Sequence, residues 1–174
     1  MTLDDVLPHL PRLRRHARLL AGDAARADDL LQDTLERAAG KAALWQAPPT
    51  GDAGAALRAW LFTLMHHLHL NQRRDARAQL LEPYDDNGSQ DPLHEPHQDL
   101  ATRLDLEKAL ARLPDDARQV LLLVCVEELT YDAAAQVLGV PVGTVMSRLS
   151  RARERLRRLM DPPTPVATLR RIRP

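Results

Sequence analysis

The sequence predicts an all-α protein: two small helical domains joined by a flexible acidic linker, the C-terminal one a helix-turn-helix. Three observations carry this. Apolar residues recur three and four positions apart through most of the chain, and nowhere do apolar and polar residues alternate with the period of a strand. Of the 174 residues 44% are hydrophobic but only 3% aromatic, so the cores must rest on Leu, Ala and Val, as helical proteins build them. Residues 82–99 are rich in Pro, Asp, Asn, Gly and Ser with almost no large apolar side chain, too little buried surface to offset the entropy of ordering. The expected domains are therefore 1–81 and 100–160. A tail, 161–174, with four prolines and three arginines, is expected to be disordered.

The elements follow in order. Thr2 with Asp5 three residues on is a capping-box pattern, and Leu3, Val6, Leu7, Leu10, Leu13, Ala17 and Leu20 then keep helical spacing. Pro8 and Pro11 inside that stretch delay or bend the helix. Gly22-Asp23 stops it and caps the next, expected from Ala24 to about Ala43. That helix sets Ala27, Leu30, Leu31, Thr34, Leu35 and Ala38 on one face and Asp28, Asp29, Gln32, Asp33 and Glu36 on the other. Gln46 to Gly54 reads as a loop. A third helix places Leu57, Trp60, Leu61, Leu64, Met65 and Leu68 inward and runs into Asn71-Gln72-Arg73-Arg74. After the linker, Leu100, Leu104, Leu110 and Leu113 lead to Pro114, and Asp115 is expected to cap a helix centred on Val120–Val124. Thr130 caps a short helix, Tyr131 to Leu138, ended by Gly139. A turn through Pro141 and Gly143 precedes a long basic helix from Thr144 to about Met160.

The charges, 24 Lys+Arg against 24 Asp+Glu, sum to zero, which by itself argues against a nucleic-acid partner. The sum hides an asymmetry. Residues 83–102 hold Asp85, Asp86, Asp91, Glu95 and Asp99 with no Lys or Arg, whereas 148–174 hold nine Arg against Glu154 and Asp161. Such an uneven distribution marks an interaction surface. The longest apolar run, Val120–Val126, falls far short of a membrane span, and the amphipathic start with Asp4 and Asp5 is not expected to act as a signal peptide. A single cysteine, Cys125, excludes an internal disulfide and a cysteine-based zinc site; inside an apolar run it is expected to be a buried small hydrophobe. His66, His67 and His69, with His94 and His97 in the linker, lack converging acidic ligands and read as surface or DNA-facing histidines rather than a metal site. No nucleophilic triad, phosphate loop or paired-carboxylate site is recognisable. The chain is expected to be a cytoplasmic protein and not an enzyme, with no cofactor, no metal and no membrane insertion.

The most specific feature lies at 130–151. A helix-turn-helix needs a small residue where its helices touch, a Gly where the chain turns and a β-branched residue to pin the second helix; Ala135, Gly139 and Val145 meet these needs. Thr144, Ser147, Arg148 and Arg151 then face outward, hydroxyls and guanidiniums suited to phosphates and base edges. Arg153, Arg155, Arg157 and Arg158 continue as a basic run along the backbone.

At this point 109–156 (ALARLPDDARQVLLLVCVEELTYDAAAQVLGVPVGTVMSRLSRARERL) resembles region 4 of an extracytoplasmic-function sigma factor of the sigma-70 family. Residues 13–38 and 58–74 (RAWLFTLMHHLHLNQRR) resemble region 2 of the same family. The resemblance implies a factor that directs core polymerase to specific promoters. It implies docking of Asp28, Asp29, Gln32, Asp33 and Glu36 on the β′ clamp helices of bacterial RNA polymerase core, and of region 4 on the β flap. It places Thr144, Ser147, Arg148, Ser150, Arg151 and Arg153 on the −35 element of promoter DNA. It places His67, Asn71, Arg73 and Arg74, with Arg77, on the −10 strand, where an exposed base is captured. An anti-sigma factor is the further partner it implies. His67, Met146 and Ser150 depart from the residues frequent in the family, so no promoter sequence is carried over. A second reading is a sigma-like mimic that sequesters an anti-sigma factor without directing transcription. A stand-alone repressor would leave 13–74 unexplained.

Overall fold

A computed structural model describes residues 1–79 and 98–160. The expected linker, with His94 and His97, and the tail 161–174 therefore lie outside the described residues, apart from Gln98 and Asp99. Among the described residues all regular structure is helical, as expected.

Helix α1 (Leu3–Val6) and a 3-10 turn (Leu7–His9) lead into α2 (Leu10–Ala21). Asp5 accepts from the Thr2 N–H at 2.6 Å and from its hydroxyl at 2.9 Å. Pro8 and Pro11 each stand in the opening turn of a new helical piece, where a missing N–H costs nothing. Gly22, in the left-handed region at φ 73°, ends α2 and donates to the Arg18 carbonyl. Asp23 then caps α3 (Ala24–Gly40) by accepting from the Arg26 N–H at 2.8 Å. Helix α3 stops three residues before the expected Ala43.

Helix α4 (Ala53–Gln79) begins four residues before Leu57 and takes in Gly54 from the expected loop, because Asp52 caps it, accepting from the N–H groups of Gly54 and Ala55. It rises for about 40 Å. Helix α5 (Gln98–Ala111) ends before Pro114, and α6 (Asp115–Leu121) follows. Pro114, not Asp115, occupies the cap position of α6, a correction taken up below. Helices α7 (Tyr131–Leu138) and α8 (Val142–Met160) complete the chain.

Between α6 and α7 the backbone departs from expectation. Leu122–Val126 forms a π-helical turn, with the Glu127 N–H donating to the Leu122 carbonyl. The wider turn re-aims the side chains that follow it. Cys125 is exposed rather than buried, and Glu127 has no exposed surface at all.

Leu13, Ala17, Leu30, Leu61, Phe62 and Met65 form the centre of an N-terminal group made by α2, α3 and α4. Val120, Leu122, Val137, Val145 and Leu149 centre a C-terminal group of α6, α7 and α8. The two groups share one continuous core: α4 packs on α7, and α2 meets α5 and α6. Helix α4 is thus covered by α3 on one side and α7 on another. Its His66 and His69 are buried against Asp115 and Gln119 of α6, which corrects the expectation of surface histidines for both; His67 is exposed as expected.

Candidate nucleic-acid interface

The helix-turn-helix is assembled by local chemistry. Thr130 caps α7 by accepting from the Ala133 N–H at 3.2 Å, and Gly139, at φ 62°, ends it in a conformation that L side chains rarely adopt. Ala135 is buried where the helices approach, and Val145 is wholly buried beneath α8. The Pro141 carbonyl accepts from both Thr144 and Val145, so α8 starts at Val142, two residues before the expected Thr144.

The predicted −35 residues all lie within about three turns of α8. Ser147, Ser150, Arg151 and Arg153 are exposed, and Thr144 and Arg148 are half-buried. The Ser147 hydroxyl donates to the Thr144 carbonyl and Arg151 Nε to the Ser147 carbonyl, while Arg148 stands 3.7 Å from Asp116. Arg153 donates to the Cys125 sulfur at 3.3 Å. An open groove of about 540 Å³ runs between Tyr131, Met146, Ser150 and Arg153. In the basic run beyond, Arg157 and Arg158 both close on Glu154, so this stretch is less positive than its arginine count implies.

The predicted polymerase face keeps its order on α3. Asp28, Asp29, Gln32 and Glu36 are exposed, with Gln32 donating to Glu36 at 2.9 Å. Asp33 is turned inward and half-buried, and accepts from Gln72 of α4 at 2.9 Å. Beside them an open groove of about 500 Å³ adds Arg14, Arg18, Leu31 and Leu35. A carboxylate row with an apolar floor suits a basic helical partner.

The predicted −10 residues lie on the second half of α4. His67, Asn71 and Arg74 are exposed; the side chain of Arg77 lies outside the described residues. Arg73 is engaged. Its Nη1 stands 2.6 Å from Asp115, whose other oxygen faces His69 Nε2 at 3.0 Å and whose carboxylate also accepts from Gln119. Asp115 therefore pairs across to α4 instead of capping α6. Burial pushes its carboxyl up, but the hydrogen bonds and charges of His69 and Arg73 outweigh this and bring it down to about 2.

A second buried carboxylate lies nearby. Glu127 accepts from Arg15 at 3.3 Å and has His16 Nδ1 at 3.8 Å, too long for a hydrogen bond. Burial raises its carboxyl, and His16 and Arg15 together more than offset this, leaving it below the ordinary glutamate range. Arg118 donates to the Leu20 carbonyl at the C-terminal end of α2, where a cation is favoured. His66 is held neutral: burial first, then His67 and His69, lower it to about 4 against a hydrogen bond that the ring donates to Gln119 and the charge of Asp115. None of Asp115, Glu127, Arg15, His16 and Arg118 was marked by the sequence as a contact. Only Glu127 carries a signal, a carboxylate closing the longest apolar run.

No three His, Cys, Asp or Glu side chains come together as a metal site among the described residues, and none of their helices is long and apolar enough to cross a membrane.

Comparison with known proteins agrees with the all-helical fold. Residues 103–156 match the family "Sigma-70, region 4", and residues 6–66 match "Sigma2 domain of PhyR". The chain is 38% identical over 160 residues to the ECF RNA polymerase sigma factor EcfG of Rhodopseudomonas palustris, covering 90% of this chain and 83% of that protein. It is 36% identical over 152 residues to SigL of Mycobacterium tuberculosis, covering 86% and 82%. Among solved structures, the sigma factor RpoE of Bartonella quintana, in complex with the anti-sigma factor NepR, superposes with a TM-score of 0.76 at 30% identity over 92% of this chain and 97% of that one. The chain belongs to the extracytoplasmic-function sigma factors of the sigma-70 family.

Proposed function

We propose that this sigma factor docks on the β′ clamp helices of core polymerase through Asp28, Asp29, Gln32, Asp33 and Glu36, and on the β flap through its C-terminal group. Thr144, Ser147, Arg148, Ser150, Arg151 and Arg153 contact the −35 element. His67, Asn71, Arg73 and Arg74 hold the opened −10 strand. The observation that carries this is the helix-turn-helix itself, capped at Thr130 and Gly139 and presenting hydroxyls and arginines along one side of α8. Purified chain added to core polymerase on genomic fragments is expected to yield promoter-dependent run-off transcripts. Replacing Arg148 and Arg151 with Ala is expected to abolish them while core binding persists.

An anti-sigma factor is the expected regulator, a reading supported by the likeness to a sigma factor solved with one. The match of 6–66 to the PhyR sigma2 domain favours a second reading, a mimic that captures an anti-sigma factor without directing transcription. Core binding without transcripts in the same assay selects the mimic.

A further inference from the structure

Among the described residues, several polar connections join the N-terminal group to the C-terminal one, and three of them involve charged side chains. Arg118 of α6 donates to the Leu20 carbonyl of α2 at 2.9 Å. Arg15 of α2 reaches both the Val126 carbonyl and Glu127, each at 3.3 Å. Asp115 of α6 takes Arg73 and His69 of α4. The third differs from the others in what it covers. Arg73 belongs to the α4 stretch assigned above to the opened DNA strand, and its partner is an anionic oxygen at 2.6 Å, the distance a phosphate oxygen would keep.

The carboxylate is well placed to hold that position. Asp115 is 15% exposed and satisfied on both oxygens, by His69 on one and by Arg73 and Gln119 on the other. Arg73, by contrast, stays 55% exposed, so a strand arriving from solvent meets a guanidinium whose inner nitrogen is already taken. Glu127, wholly buried against Arg15 and His16 of α2, is a second ionic connection between the same two groups.

We propose that Asp115 is an internal stand-in for DNA phosphate: the packed arrangement of the two helical groups closes Arg73 and His69 against Asp115, and a single DNA strand and this closed arrangement exclude one another. The proposal rests on the assignment of α4 to the −10 strand. A strand that binds only the open arrangement shifts the population toward it by its differential affinity, and loss of the Asp115 charge makes the same shift in advance.

The test uses the full chain carrying Cys125→Ser, with spin labels at Ala39→Cys and Arg155→Cys, both exposed positions on opposite sides of the seam. Asp115→Asn keeps the shape and removes the charge. It is expected to broaden the inter-label distance distribution and to tighten binding of a (dT)20 oligonucleotide at low salt by about tenfold. Glu127→Gln is expected to broaden the distances as well. Should either single variant unfold, the exchanged pair Asp115→Arg with Arg73→Asp provides the check, since it is expected to restore the narrow distribution. Unchanged distances in Asp115→Asn and Glu127→Gln overturn the latch and leave the promoter reading standing. Broadened distances with unchanged oligonucleotide affinity overturn the masking and remove Arg73 from the strand-binding face.

Discussion

His66 makes the packed fold sensitive to mild acid. It is 8% exposed in the seam between α4 and α6, and burial with the help of His67 and His69 holds its ring down at about 4. In the unfolded chain the same ring titrates near 6.5. Its folded pKa is depressed, so the unfolded state binds the proton first as the pH falls, and stability drops between about 6.5 and 4. At pH 5 the unfolded ring is almost fully protonated and the folded ring almost fully neutral, which costs about 2 kcal/mol relative to pH 7. For a domain of this size that lowers Tm by about 4–8 °C. Asp115 and Glu127 act at lower pH, because both are held below their ordinary carboxylate values and their stabilisation fades only as the pH drops beneath those. His9, lowered by burial and then by Arg58 and Arg12, adds a slope of the same sign. It is present in any His66 variant, so its contribution subtracts. The perturbation is His66→Gln, which keeps a polar partner for Gln119 and cannot titrate. Thermal unfolding followed by circular dichroism from pH 7 to pH 5 is expected to show the variant losing about 2 kcal/mol less than the parent. Parallel slopes in the two proteins would refute the buried neutral imidazole.

The remaining predictions concern the faces. Asp28→Arg is expected to abolish co-purification with core polymerase without lowering Tm, since Asp28 is exposed, whereas Asp33→Arg is expected to do both because its carboxylate also holds Gln72; an intact complex with Asp28→Arg removes α3 as the docking face. Gly139→Ala is expected to cost about 1–2 kcal/mol even though nothing lies within 4 Å of the added methyl, because the strain is in the backbone at φ +62°; an unchanged Tm removes the left-handed cap. Cys125 is expected to react with a disulfide reagent in the native protein at the rate of an open thiol, and the adduct, beside Arg153, to weaken duplex DNA binding; reaction only on unfolding would return the thiol to the core.

What could be read in advance was what local rules decide. Asp23 with Gly22, and Thr130 with Gly139, are caps whose side chain and backbone act within one turn, and both helix ends fall where the residues put them. The buried rows of α3 and α4 follow mostly from spacing, although Phe62, which lies against His16 of α2, and His66 and His69, which face α6, escaped it. Cys125 was misread and Glu127 passed over for one reason. A continuous apolar run implies a continuous α-helix, and nothing local announces that the run will close with a π turn that puts the acid inward and the thiol outward. Asp115 failed differently: after a proline and ahead of a helix it has the local signature of a cap, and its use by Arg73 depends on a residue 42 positions away, as the numbering shows.

That long-range use changes what the zero net charge means. Counted by segment, the acids of α3 and of 83–102 merely cancel the arginines of α8 and the tail, as two faces for two partners of opposite charge. In the folded chain some of the cancellation is physical, since Asp115 with Arg73 and Glu127 with Arg15 neutralise one another across the seam between the two helical groups. If Arg73 faces DNA as proposed, the ion pair that joins the two groups through it has two competitors, dissolved salt and DNA itself. Both cations are about half exposed, Arg73 55% and Arg15 49%, so moderate salt reaches both pairs, and the pairs differ only in their carboxylates, Asp115 15% exposed and Glu127 wholly buried. On the proposed reading Glu127 serves only the association of the two groups, whereas Asp115 also withholds Arg73 from DNA.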